Sequence, residues 1–130
     1  MSDLSKTLGM AASGMHAQSS RLRLVAENLA NTDTPGYRRK MASFEQVLQQ
    51  GETYGTVAQS TIKTDPTELP IIHGPSHPMA DEAGYYQGSN VNLVVEIADA
   101  REAQRSYEAN LKMFEQARKM SSSLMDLLRR

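Results

Sequence analysis

Two stretches with the apolar spacing of a helix bracket a middle that lacks it. From Leu4, alternating steps of four and three visit Leu8, Ala11, Met15, Gln18, Leu22, Val25 and Leu29, and only Gln18 is polar. A sustained 4-3 spacing is the seam of a coiled coil, and it predicts a helix over residues 2–30. A second stripe runs through Val94, Ile97, Ala100, Ala103, Tyr107, Leu111, Phe114, Ala117, Met120, Leu124 and Leu127, with no Gly or Pro among residues 92–129. It predicts a helix over that range, on the order of 55 Å long at about 1.5 Å per residue. Such a length suits a coiled coil or a helical assembly better than the interior of a small globule. The rest of the first helix is mostly Ser, Ala, Gly, Thr and Gln. Small side chains let another backbone come close. Gly9 and Gly14 are therefore either close helix contacts or tolerated surface glycines, each costing about 1 kcal/mol of helix propensity relative to Ala.

Punctuation between the helices is strong. Asn31 suits the left-handed position after a helix, and Pro35 biases Thr34 away from helical backbone. Pro35-Gly36 fits positions i+1 and i+2 of a type II turn. Four of the five prolines lie between residues 66 and 78. Residues 56–62 read as a strand through their β-branched content, Leu69–Ile72 as a second and Tyr85-Tyr86 as a third. The fold class is therefore mainly α: long N- and C-terminal helices paired as a coiled coil, with a small, irregular, β-rich insertion. Residues 1–37 and 92–130 form the helical part, and residues 38–91 the insertion.

Charge and composition narrow the chemistry. The 130 residues carry 14 basic and 15 acidic side chains, and no Cys. A polyanion binder would show a basic excess. Without Cys there is no disulfide scaffold, thiol catalysis, iron–sulfur cluster or Cys-based zinc site. No apolar run reaches the ~18 residues of a membrane span. The start, Met1 to Lys6, has no basic segment followed by an apolar one, so no cleavable secretory signal is expected. His73 and His77 have the spacing of a helical metal pair, with Asp81 or Glu82 as further ligands, but Pro75 and Pro78 forbid a regular helix there, and they read as loop histidines. The pairs Asp81/Glu82 and Asp65/Glu68 have no apolar pocket nearby to separate their pKa values, so they read as solvated acids. Phosphate-loop, dinucleotide and nucleophile-elbow motifs are all missing. Arg38-Arg39-Lys40 reads as a solvated turn or as a contact with another protein. No metal, cofactor, nucleic acid or small-molecule substrate is expected.

One run of residues is more specific. Ala12-Ser13-Gly14-Met15, Ala17-Gln18, Arg21-Leu22, Ala26, Asn28-Leu29-Ala30-Asn31 and Thr34-Pro35-Gly36-Tyr37 resemble the N-terminal signature of the bacterial flagellar axial proteins. His77-Pro78-Met79-Ala80-Asp81, Gly84-Tyr85, Asn90-Val91-Asn92, Val95-Glu96 and Arg105-Ser106-Tyr107-Glu108-Ala109-Asn110 narrow the resemblance to the short proximal-rod branch. The chain departs from that pattern with His77 for Asn, Asn92 for Asp and Glu108 for Gln.

The resemblance implies a structural subunit of the flagellar rod, the periplasm-spanning drive shaft, and not an enzyme. It implies assembly with itself and other rod proteins, after passage through the flagellar type III export apparatus without a cleaved signal. The residues expected to carry assembly are Leu8, Met15, Leu22 and Leu29 on the first helix and Tyr107, Leu111, Phe114 and Leu124 on the second. Asn31, Thr34, Pro35, Gly36 and Tyr37 form the turn. The rival readings are another axial subunit, whether the neighbouring proximal-rod protein or a distal-rod one, and a wall hydrolase. Distal subunits have longer insertions, and a hydrolase needs a cleft that these middle residues do not offer.

Overall fold

In the computed structural model, residues 3–49 and 52–129 are described. Helix α1 spans Asp3–Ala30, strands β1 Lys40–Gln49 and β2 Glu52–Thr64 follow, then β3 Ile71–His73, β4 Tyr85–Gln87 and helix α2 Leu93–Leu128. The protein is mainly helical, with two helices flanking a small antiparallel β region. Both helices end where local chemistry ends them. Asn31 closes α1, its side-chain amide donating to the Glu27 carbonyl at 2.8 Å. Asn92 caps α2 from an extended backbone (φ −105°, ψ 114°), and its side chain accepts from the amides of Val94 and Val95. Asn and Asp are nearly equivalent as N-caps, so Asn92 in place of Asp leaves this helix start intact.

The helices pack side by side and run antiparallel: Asn28 meets Glu96, Arg21 meets Asp99 and Glu102, and Gly14 lies against Asn110. The most buried α2 residues are Glu96, Ala103 and Ala117, seven and fourteen apart; on α1 they are Ala11, Ala17, Leu24, Val25 and Asn28. Alanines thus make up half of these buried residues, and close approach at one point resolves the two glycines. A Cβ on Gly14 would lie 2.8 Å from three Asn110 side-chain atoms, whereas one on Gly9 would meet nothing within 4 Å. Gly14 is the close contact and Gly9 the tolerated glycine.

β1 and β2 form an antiparallel hairpin, Lys40 opposite Thr64 and Gln49 opposite Glu52, with irregularities after Ser43 and Gln46. The hairpin lies back along α1, where the Val57 amide donates to Ser13 Oγ at 3.0 Å. The expected strand at 56–62 is longer at both ends. β1 was not expected at all, because its Lys, Glu and Gln content carries no strand signal and its extended state comes from pairing with β2. β3 and β4 form a second, three-residue ribbon, close to the short strands expected at Leu69–Ile72 and Tyr85-Tyr86. No helix among the described residues is long and apolar enough to cross a membrane.

Candidate functional site

The described polar groups converge at the end of the molecule where α1 finishes and α2 begins. The Asn28 side chain is 1% exposed and makes four hydrogen bonds. Its amide donates to the Lys40 carbonyl (2.9 Å) and to Glu96 Oε2 (3.3 Å). Its Oδ1 accepts from the Tyr37 hydroxyl (2.8 Å) and from the Lys40 amide (2.9 Å). A carboxamide offers two donors and two acceptor lone pairs, so Asn28 is saturated. Toward Lys40 it acts as a neighbouring strand would, taking both backbone groups of the first β1 residue. Burial pushes the Tyr37 phenol above its ordinary range, with the Glu27 charge adding to it.

The turn that delivers Tyr37 is made by Thr34–Tyr37. The Tyr37 amide donates to the Thr34 carbonyl (3.2 Å), and Gly36 has φ +74°, as position i+2 of a type II turn requires. No atom lies within 4 Å of where a Gly36 Cβ would sit, so the constraint there is backbone conformation and not space. Gly36→Asn should therefore be almost neutral, whereas Gly36→Val should cost about 1–2 kcal/mol of left-handed strain. Urea denaturation of the two variants checks this, and equal losses would count against the turn.

Two residues after the turn, Arg39 enters the interior. Its Nε donates to Glu96 Oε1 and its Nη2 to Asp99 Oδ2 at 2.6 Å, while Asp65 lies 3.9 Å from Nη1. Glu96 is 0% exposed and the Arg39 side chain 14%. Burial works to lower the Arg39 pKa, but the hydrogen bond and charge of Glu96, with Asp99 and Asp65, outweigh it and hold the guanidinium above its ordinary value. Hydrogen bonds from the Thr67 hydroxyl and amide, with help from Arg39 and Arg38, hold the Asp65 carboxyl below the usual carboxylate range. That contribution to stability is present above the unfolded carboxylate pKa and is lost as pH falls through the folded one. Asn90 closes the assembly: its Oδ1 accepts from the Arg39 amide (2.6 Å), and its side-chain amide donates to the carbonyls of Asp65 and Thr67 (3.1 Å each).

The basic triplet thus does three different things. Arg38 is exposed and donates to the Thr67 carbonyl. Lys40 pairs with Glu27 at 2.5 Å, whose hydrogen bond and charge raise its pKa. Arg39 is the mostly buried partner of the fully buried Glu96. The solvated-turn reading fails for Arg39 because Glu96, 57 residues away in sequence, comes to meet it.

The expected seam residues Leu8, Met15, Leu22, Leu29, Tyr107 and Phe114 are half-buried in the single chain. Leu111 is 37% exposed and Leu124 51%. His73 tilts onto the Tyr85 ring and His77 stacks on Tyr86 at 4.1 Å. Asp81 accepts from the Tyr85 amide. Among the described residues, no group of three or more His, Cys, Asp or Glu is placed to hold a metal ion. Sequence reasoning named Asn28, Glu96 and Asn90 only within the resembling motifs and Arg39 only within its basic triplet, and gave none of them a place in a site. The available signal was Glu96 itself, a charge seven residues before Ala103 on a helix rich in apolar positions.

Comparison with known proteins finds likeness in the two segments that meet at this junction. Residues 8–38, which hold Asn28 and the turn, match the family model described as Flagella basal body rod protein. Residues 82–127, which hold Asn90, Glu96 and most of α2, match Flagellar basal body rod FlgEFG protein C-terminal. The flagellar basal-body rod protein FlgC of Agrobacterium fabrum is 40% identical, with 99% of this chain and 98% of the relative covered. The proteins of the same name from Aquifex aeolicus and Salmonella typhimurium are 39% and 31% identical, covering 88% and 91% of this chain and 89% and 92% of theirs. With both matched segments meeting at the buried junction and this likeness running along nearly the whole chain, the chain belongs to the FlgC family of flagellar basal-body rod proteins.

Proposed function

We propose that this chain is built into the proximal part of the flagellar rod and that α1 and α2 act there as the inner, coiled-coil layer of a torque-bearing shaft. As a member of its family it is a structural subunit of the basal-body rod and not an enzyme. The observation that carries the finer reading is the apolar surface of α2. Leu124, Met125, Leu127 and Leu128 are 51–81% exposed, and Val94, Ile97, Met113 and Met120 are exposed as well. Leu124 lies one heptad beyond Ala117 on the contact line, and Met113 and Met120 border that line beside Thr7, yet the helix pair leaves all of these side chains exposed. Fully burying one such side chain contributes about 1.5–3 kcal/mol, and the single chain leaves that gain unused. Copies of this chain and other rod proteins are the natural cover.

On this reading residues 1–37 and 92–130 face the inside of the shaft, and residues 38–91 form its outer part. Leu8, Met15, Leu22, Leu29, Tyr107, Leu111, Phe114 and Leu124 are shared between the helix pair and its neighbours. The subunit reaches the rod through the flagellar type III export apparatus. Leu124→Asp tests the assembly face. The site is exposed, so monomer stability should change by no more than about 0.5 kcal/mol, yet incorporation into basal bodies and swimming should be lost. Glu108→Ala, also exposed, should be silent in both. Isolated basal bodies containing Leu124→Asp at normal level would refute the assignment.

A further inference from the structure

We propose that Gly14 with Asn110 and Asn28 with Glu96 are two pins that fix the register of the helix pair against slippage by one heptad. The two contacts lie fourteen residues apart on each helix, which is two full heptads. Thr7 and Ala117, one heptad beyond Gly14 and Asn110, line a common cavity between the helices. The layer positions are thus Thr7, Gly14, Arg21 and Asn28 on α1, facing Ala117, Asn110, Ala103 and Glu96 on α2.

A seven-residue repeat does not choose its own register. Slipping one way sets Glu96 opposite Arg21 and Ala103 opposite Gly14, so Glu96 exchanges its ion pair with Arg39 for one with Arg21. Slipping the other way sets Ala117 opposite Gly14 and Leu124 opposite Thr7, and draws an exposed leucine toward the seam. Flanking Ala103 and Ala117 are too small to discriminate. A polar residue at one layer position is a known register device in coiled coils, and Asn110 has that place. Its side chain fills the space over Gly14, where a Cβ would come within 2.8 Å of it, and its amide is anchored to the Ser106 carbonyl at 2.9 Å. The second pin also ties the register to the turn, because Asn28 holds Lys40 and Tyr37 as well as Glu96.

The chain has no cysteine, so nitroxide labels on Ala26→Cys and Glu108→Cys, both exposed, report the axial offset of the helices by double electron–electron resonance. One narrow distance is expected in the labelled parent and in each of Asn28→Ala and Asn110→Ala. The double variant should show a second population displaced by up to about 10 Å, the rise of seven helical residues, with helix content by circular dichroism retained. A broad distribution in the parent, a shift in either single variant, an unshifted double variant, or loss of helix in the double variant would each overturn the proposal. A second arm leaves Asn28 untouched. Gly14→Ala should lower the melting temperature although alanine is the better helix former, and adding Asn110→Ala should restore it. A Gly14→Ala chain that melts at or above the parent overturns the Gly14–Asn110 pin.

Discussion

Replacing Arg39 by alanine should lower the stability of the folded chain by about 3–5 kcal/mol, the usual cost of leaving a buried ion without its partner. Glu96 is fully buried, and its other described side-chain contact is the neutral Asn28 amide. Asp99 and Asp65 would lose the same cation. Against a total of about 5–15 kcal/mol for an ordinary domain, such a loss is a large fraction of the stability. The attraction within the pair is not what makes the effect large. Arg39→Met combined with Glu96→Leu removes both charges, and apolar pairs in place of buried ions are often neutral or stabilising. The double variant should therefore be the more stable of the two, although it has lost more of the native side chains. Arg39→Lys should fall between them, since an ammonium on a flexible stem cannot serve Glu96 and Asp99 with a fixed fork. Urea denaturation of the three variants gives the order directly. A double variant less stable than Arg39→Ala would mean that the pair contributes more than its own desolvation.

The contrast between charge and partner also marks what was legible in the sequence. Each helix could be read to within a residue, because its signals are local: the 4-3 spacing, Asn31 with Pro35 after α1, and Asn92 before α2. The Gly36 turn was legible for the same reason. β1 was not, since Lys40–Gln49 is extended only through its pairing with β2. The contact line was partly legible. The α2 stripe includes Ala103 and Ala117, but apolar spacing gives most weight to the largest side chains, while close packing of two backbones selects the smallest. Tyr107 and Phe114 consequently flank the line, and Leu124 stays exposed in the single chain. The junction was least legible. A charged residue in a sequence carries no sign of the partner it will meet, and Arg39 and Glu96 become a buried pair only when both helix ends and the turn are in place.

Asn28→Ala should be nearly as damaging as Arg39→Ala, although it removes no charge. The substitution leaves the Lys40 amide and carbonyl and the Tyr37 hydroxyl without the partner that Asn28 supplied. A stranded buried polar group costs about 1–3 kcal/mol, and partial access of water to Lys40 and Tyr37 softens that, so a loss of about 3 kcal/mol is expected for the set. The isosteric Asn28→Asp separates shape from chemistry. It keeps the acceptor for Tyr37 and for the Lys40 amide. It removes the donors to Lys40 and Glu96 and sets a carboxylate where the Asn28 amide lies 3.3 Å from a Glu96 oxygen. Like charges that close in a buried place disfavour each other's ionised form, so Asn28→Asp should be at least as destabilised at neutral pH and should recover part of the loss on mild acidification, when one of the two carboxyls takes a proton. The recovery is the discriminating result. Asn28→Ala has no second carboxyl at that position to protonate and should show none of this added gain over the parent between neutral and mildly acidic pH. Thermal melts of both variants across that range decide the matter, and parallel pH profiles would mean that Asn28 acts through its shape and not through its four hydrogen bonds. In cells lacking their own copy, both variants should incorporate poorly into basal bodies, because the Asn28 contacts fix the direction in which the chain leaves α1 for the hairpin.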